Sequence, residues 1–170
     1  EAISWFEKRP LFGRRIVVTR NRERAGELSG RLEALGATVL ELPLVTIEAA
    51  VDREVCAEVF ADIGTYDWLV FSSANGVRHF FELFFSAFKD LRALGVMRIA
   101  AVGEATARAV RELHLEVEIV PERAVAEDLA RALVDTGSLD SAKVLVVSGN
   151  LGRDVLTKKL EQARAIVDRF

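Results

Sequence analysis

Four short segments place hydroxyl, amide, glycine or arginine residues directly after a predicted strand. They are Thr19-Arg20, Ser72-Ser73-Ala74, Gly103 to Thr106, and Ser148-Gly149-Asn150. Hydroxyl and arginine groups donate hydrogen bonds, and the free N–H groups at the start of a following helix add more donors. This inventory suits the binding of an anionic ligand, with arginine adding charge, rather than acid–base chemistry.

The sequence lacks the motifs of several common ligand-binding and catalytic sites. No Gly-x-x-x-x-Gly-Lys-Ser/Thr run is present, so a P-loop is excluded. The spacing of Gly149 and Gly152 does not fit a dinucleotide fingerprint. Cys56 is the only cysteine, and His79 and His114 lie far apart without a second ligand at metal-site spacing. We therefore predict no metal site and no catalytic triad, and no catalytic residue can be named.

The element that best positions such a site is the run Trp68–Phe71 with the turn and helix that follow it. Four consecutive apolar residues predict a buried parallel strand. Apolar residues then recur at helical spacing, which predicts a helix capped by Ser72 or Ser73. We interpret the phenylalanines of this helix as core residues; they are Phe80, Phe81, Phe84, Phe85 and Phe88.

The same strand–turn–helix unit recurs along the chain. Strands are predicted at 15–19, 38–42, 68–71, 98–102, 116–120 and 144–147, with a further extended stretch at 45–49 and a last strand from 166, and helices lie between most of them. Alternating strands and helices with short turns predict an α/β fold with parallel, flavodoxin-like sheets covered by helices on both faces. Right-handed crossovers bring the polar turns to one edge, where open α/β sheets bind ligands.

Composition narrows the classes of partner. The net charge of −3 argues against a nucleic-acid binder, although residues 8–24 carry seven basic residues and one acidic residue. Such a basic segment is either a solvated surface or part of an anion-attracting rim. No apolar run is long enough to cross a membrane. We expect a cytoplasmic protein that does not bind membranes.

Four sequence segments resemble the uroporphyrinogen-III synthase family. They are Trp5 to Arg20, Leu69 to Val77, Ala101 to Ala107, and Val147 to Leu156, in the family's order and spacing. The first is similar to the junction found where a synthase domain follows a uroporphyrinogen-III methyltransferase in one bacterial polypeptide. The resemblance implies a lyase of heme, siroheme and cobalamin biosynthesis without a cofactor, which closes linear hydroxymethylbilane into uroporphyrinogen III and inverts ring D through a spiro intermediate.

The resemblance also implies the organisation of the chain. In the family, substrate lies in a cleft between two α/β domains, and the first domain is completed by a returning segment. Here residues 1–14 read as a linker, 15–45 as one βαβ unit of an incomplete domain 1, and 46–170 as domain 2. We therefore expect a fragment that is inactive alone and self-associates. A non-catalytic, flavodoxin-like anion-binding or regulatory domain is the alternative.

Overall fold

The structure is a computed structural model that describes residues 7–19, 22–42, 44, 52–149 and 155–170. Within it the chain divides into two compact units, residues 1–49 and 50–170. No helix among the described residues is long and apolar enough to cross a lipid bilayer. The extended stretch predicted at 45–49 lies outside the described residues.

The first unit contains one parallel βαβ motif, as predicted. Strand β1 (Arg15–Val18) pairs with β2 (Thr38–Glu41), and helix α1 (Arg22–Ala34) connects them. The chain leaves α1 through Gly36, whose φ is +95°. A Cβ atom on Gly36 would lie 2.9 Å from Arg9 Cβ, so both conformation and space require glycine here.

Residues 7–14, predicted to form part of a linker, fold as turns against this motif. The Leu11 N–H donates a hydrogen bond to the Leu35 carbonyl at 2.9 Å, and the Thr38 N–H donates to the Arg14 carbonyl at 2.8 Å. This segment therefore packs beside the end of α1. The division of the chain into a linker, an incomplete domain 1 and a domain 2 remains a prediction.

Among the described residues, only one face of the first unit's sheet is covered. Val18 is buried, whereas Val17 is 52% exposed and Leu40, its partner across the sheet, is 60% exposed. Parallel sheets normally bury both faces. Leu28 on α1 and Leu35 just after its end are also exposed.

The second unit is a four-stranded, fully parallel sheet in the order β4-β3-β5-β6. Its strands are β3 (Trp68–Phe71), β4 (Arg98–Ala101), β5 (Lys143–Val147) and β6 (Ile166–Arg169). Its helices are α2 (Arg53–Ala61), α3 (Ala74–Ala87), α4 (Glu104–Arg111), α5 (Ala126–Asp135) and α6 (Val155–Gln162), with 3₁₀ turns at Ile63–Thr65 and Leu91–Leu94. The first strand of this unit, β3, lies inside the sheet, so later strands add on both sides of it.

The strand predicted at 116–120 is reduced to one bridge, between Ala100 and Ile119. The Ala101 N–H donates to the Ile119 carbonyl at 2.9 Å, and the Glu118 N–H donates to the Ile99 carbonyl at 2.8 Å. Pro121 follows closely and has no N–H to continue a ladder. The prediction of a full strand was therefore wrong in extent, although the segment lies along the outer edge of β4.

The sheet of the second unit carries an apolar core on each face. All four residues of β3 are fully buried. One face packs phenylalanines of α3 against Phe60 and Phe71, with Phe60 and Phe80 ring centroids 5.8 Å apart. The other face packs α5 and α6 against Trp68 and Val146. One predicted core position was wrong: Phe85 is 44% exposed, because it lies at the margin of the apolar stripe of α3.

Candidate functional site

The direction of the crossovers reverses between β3 and β5, and Ser72 connects the ends of these two strands. The Ser72 N–H and the Ser72 hydroxyl both donate to the Val147 carbonyl, each at 3.1 Å. The register aligns Phe71 with Val147, so the turns that follow the two strands start side by side. Open α/β sheets bind ligands at such reversal points, beyond the carboxyl ends of the strands.

Ser73, and not Ser72, caps helix α3. Its backbone is extended, and its Oγ accepts a hydrogen bond from the Gly76 N–H at 3.0 Å. The following amides, of Ala74 and Asn75, belong to the first helical turn, where no carbonyl of the helix can accept their hydrogen bonds. A Cβ on Gly76 would come within 3.3 Å of Val147 Cγ1, so this turn lies tightly against the end of β5.

Two polar side chains that the sequence analysis missed lie on the same turn of α3. The Arg78 guanidinium donates a hydrogen bond to Asn75 Oδ1. Asn75 is half-buried and Arg78 is exposed. Their three-residue separation on a predicted helix was the available signal, because residues i and i+3 share a helix face.

The turn after β4 lies on the other side of the β3 turn. The Val102 N–H donates to the Phe71 carbonyl at 3.0 Å, which joins these two turns. Gly103 is buried, and a Cβ on it would lie 2.6 Å from Ala124 Cβ. Thr106 is only 4% exposed, so the structure places it inside this turn rather than on its surface.

The turn after β5 completes the row, and two predicted residues cannot be placed. The Ser148 N–H donates to the Phe170 carbonyl at 3.1 Å, and Gly149 is exposed beyond it. Asn150 and Arg20 lie outside the described residues. Thr19 is exposed at the end of β1 in the first unit. The structure thus brings together the predicted residues of the second unit; they are Ser72, Ser73, Ala74, Gly103, Thr106, Ser148 and Gly149.

Two charged side chains near this edge form a surface pair with each other. Glu104, the first residue of α4, pairs with Arg111 at 2.8 Å, and both are exposed. Among the described residues, no group of three or more His, Cys, Asp or Glu side chains is placed to hold a metal ion. The hydroxyls and helix-start amides of this edge favour hydrogen bonding to an anion.

The opposite edge of the same sheet contains a cavity of about 430 Å³. It is lined by residues that include Tyr66, Asp67, Arg98 and Ser138. The Arg98 guanidinium lies 4.0 Å from the Trp68 ring centre and is already bonded to Glu118 and Ser138. Because the Arg98 guanidinium already donates its hydrogen bonds within the protein, this cavity offers few free donors to an anionic ligand.

Several groups of the second unit have shifted pKa values, and one of them, Asp128, lies on the helix that follows Ala124, the residue packed against the Gly103 turn. Burial, and then the hydrogen bond to Asp168 at 2.8 Å, raise the pKa of Tyr66 well above its usual value. The hydrogen bond from Arg98 lowers the pKa of Glu118, and that from Arg123 lowers the pKa of Asp128. Burial raises the pKa of the Cys56 thiol. The Glu118 and Asp128 carboxylates are thus held ionised by their arginine partners.

Comparison with known proteins identifies the family. Residues 26–170 match the family described as Uroporphyrinogen-III synthase HemD. The chain belongs to the uroporphyrinogen-III synthase family. A match to the Porphyrin biosynthesis protein HemD of Ruminiclostridium josui has 32% identity and covers 99% of this chain. The parallel α/β fold is also that of the synthase from Thermus thermophilus, with a TM-score of 0.69 at 21% identity over 93% of this chain.

The relatives are longer than this chain. It spans 33% of the Ruminiclostridium protein and 61% of the Thermus chain. The Uroporphyrinogen-III C-methyltransferase of Bacillus subtilis also matches, with 31% identity over 70% of this chain and 24% of its own length. Sequence similar to this chain thus occurs inside longer polypeptides.

Proposed function

We propose that this chain is part of an enzyme that closes hydroxymethylbilane into uroporphyrinogen III with inversion of ring D. The observation that carries the proposal is the row of donor-bearing turns at one edge of the second unit, in a chain that belongs to the synthase family. We further propose that the edge formed by the predicted residues, together with Thr19, Arg20 and Asn150, binds the carboxylates of the substrate, with the buried Thr106 supporting its turn. The alternative of a non-catalytic regulatory domain is not favoured, because the family and the matched HemD relative are named for porphyrin biosynthesis.

The role proposed for this edge is orientation of the substrate. Helix-start amides and hydroxyls hold anions without transferring protons. Holding two reacting ends of a flexible molecule together can supply a large part of the barrier reduction. We therefore expect several hydrogen-bond donors to share the acceleration of ring closure, with no single side chain responsible for most of it.

Partners and location form part of the same proposal. The match to a methyltransferase supports a polypeptide that holds both kinds of domain, and we propose that the methyltransferase domain precedes the synthase domain. The coverage of the relatives supports a first domain completed by further sequence. We propose a cytoplasmic enzyme, in which residues 1–170 alone lack a complete cleft, have little activity and self-associate through the first unit.

The function is tested by analysing product isomers. A family-length protein that contains these 170 residues is supplied with hydroxymethylbilane, and the products are oxidised and separated by chromatography. The proposal expects mainly the type III isomer, whereas the uncatalysed reaction forms type I. The same protein with residues 72–76 replaced by Gly-Ser linker residues is the control. Only type I isomer from the unsubstituted protein would contradict the assignment.

A further inference from the structure

A carboxylate in the first unit is held in place by a buried hydroxyl. Ser29 of α1 is only 6% exposed, and its Oγ donates a hydrogen bond to Glu41 Oε1 at 2.5 Å. This length is typical of a hydroxyl that donates to a carboxylate. The bond fastens the Glu41 side chain to the helix, although Glu41 itself is exposed. Of the two carboxylate oxygens, Oε1 is engaged and Oε2 has no partner among the described residues.

Glu41 lies at the carboxyl end of the first unit's sheet. It is the last residue of β2, and it pairs in register with Val18, the last residue of β1. Thr19, one of the predicted binding residues, follows Val18 directly. The Leu42 N–H donates to the Val18 carbonyl at 2.9 Å, so the two strand ends stay side by side. The free carboxylate oxygen therefore lies at the edge where open α/β sheets bind ligands.

The chemistry of a carboxylate at this place selects ligands that donate hydrogen bonds. In dinucleotide-binding units, an acidic residue about 20 residues after the glycine-rich turn hydrogen-bonds the ribose. Residues 19–24, which follow β1, contain no glycine, so a dinucleotide is not the ligand here. The proposed substrate is a linear tetrapyrrole, whose pyrrole N–H groups are hydrogen-bond donors. The donor-rich turns of the second unit match its carboxylates, whereas a carboxylate matches its N–H groups.

We propose that Glu41 binds pyrrole N–H groups of the substrate through Oε2, and that Ser29 is a positioning residue that holds this carboxylate in place. The inference rests on the proposed function, because it names a further binding residue for the same substrate. It accounts for a negative charge at an edge proposed to bind an anion, where a carboxylate without a bonded donor opposes binding.

The experiment measures how fast a family-length protein that contains these 170 residues converts hydroxymethylbilane, with the type III product oxidised to uroporphyrin III and quantified. Glu41→Gln keeps the size of the side chain and an oxygen for the Ser29 hydroxyl, but an NH₂ donor replaces Oε2. Glu33→Gln is the matched control, because Glu33 is exposed on α1 and the same charge is lost. Ser29→Ala is measured alone and together with Glu41→Gln, and the thermal unfolding midpoint of every variant is recorded.

The expected result is a fall in kcat/KM of about tenfold or more for Glu41→Gln, the size typical of a lost hydrogen bond to a charged group. Glu33→Gln should leave kcat/KM unchanged or raise it slightly, because it removes a negative charge that repels the substrate. Ser29→Ala should lower kcat/KM when Glu41 is present and have no further effect in the Glu41→Gln protein. A merely structural contribution of Ser29 would lower kcat/KM equally in both proteins.

Two outcomes would overturn these roles while the unsubstituted protein still forms the type III isomer. An unchanged or higher kcat/KM in Glu41→Gln shows that Glu41 accepts no hydrogen bond from the substrate. An equal loss from Ser29→Ala in both proteins shows that Ser29 does not act through Glu41. Either result leaves the proposed function intact. If the unsubstituted protein forms only the type I isomer, the proposed function is contradicted and the inference with it.

Discussion

Individual residues at the sheet edge depend on hydrogen-bond directions that sequence cannot show. The pair Ser72-Ser73 could be recognised as a candidate anion site from its place after a buried strand. Which serine caps α3 depends on the extended backbone of Ser73 and on the approach of β5. Asn75 and Arg78 were missed because one exposed pair on a helix is usually a solvated face.

The buried Tyr66 side chain should make the free energy of unfolding depend on pH. Tyr66 is the only tyrosine, and burial and the bond to Asp168 raise its pKa. Because the pKa is higher in the folded state than in the unfolded state, where it is about 10, the stability that Tyr66 contributes is present below about pH 10. It is lost as the pH rises through the folded-state value. The free energy of unfolding in urea should therefore fall above about pH 10.

The measurement follows the ultraviolet absorbance of tyrosinate, which reports on this residue alone. The folded chain should titrate at higher pH than the same chain in urea. In Tyr66→Phe the fall in stability above about pH 10 should become shallower, because the group that titrates is gone. Identical tyrosinate titrations in buffer and in urea would show that Tyr66 is not protected as described.

At the scale of elements, the sequence predicted the central structure more accurately than its margins. β3 was predicted with the bounds that the structure has, because four consecutive apolar residues between polar ones fit only a short buried strand. The prediction of a full strand at 116–120 was wrong, because the extent of an edge strand depends on its pairing with the neighbouring strand and is limited here by Pro121. The prediction that Phe85 is a core residue was wrong, because helical periodicity does not set how wide the buried side of a helix is.

The end of helix α4 offers a test of backbone strain. His114 has φ of +59°, and its N–H donates to the Arg111 carbonyl at 2.9 Å, a position that usually holds glycine. A residue with a Cβ atom costs about 1–2 kcal/mol there, part of which glycine regains. His114→Gly should therefore raise the free energy of unfolding by about 0.5–1 kcal/mol.

Glu112→Gly is the matched control for this change. Glu112 has right-handed helical angles, so glycine there should lower stability by about 1 kcal/mol. Chemical denaturation of both variants gives the comparison. If the two substitutions destabilise the chain equally, His114 does not occupy the left-handed conformation in solution.

At the scale of the whole molecule, the uncovered sheet face of the first unit predicts self-association. We expect residues 1–170 expressed alone to form dimers or larger species, because exposed apolar faces of parallel sheets bury themselves against a partner. Leu40→Lys should shift the mass measured by light scattering toward the 18.8 kDa of one chain. Val96→Lys is the control, because Val96 is fully exposed in a loop of the second unit.

A different outcome would contradict this prediction of self-association. A single species of 18.8 kDa at every concentration, with the amides of β1 and β2 protected from hydrogen exchange, would show that the first unit is stable as it stands. Equal effects of Leu40→Lys and Val96→Lys would show that association does not use this face.

The central claim is that the substrate binds where the strands of the second unit end. It is tested most directly by recording amide ¹H–¹⁵N shifts of the chain as uroporphyrin III is added. We predict the largest shifts at Ser73, Ala74 and Asn75 and in the turns that begin at Gly103 and Ser148. Shifts concentrated instead around the cavity at the opposite edge, at Asp67, Arg98 and Ser138, would contradict the account.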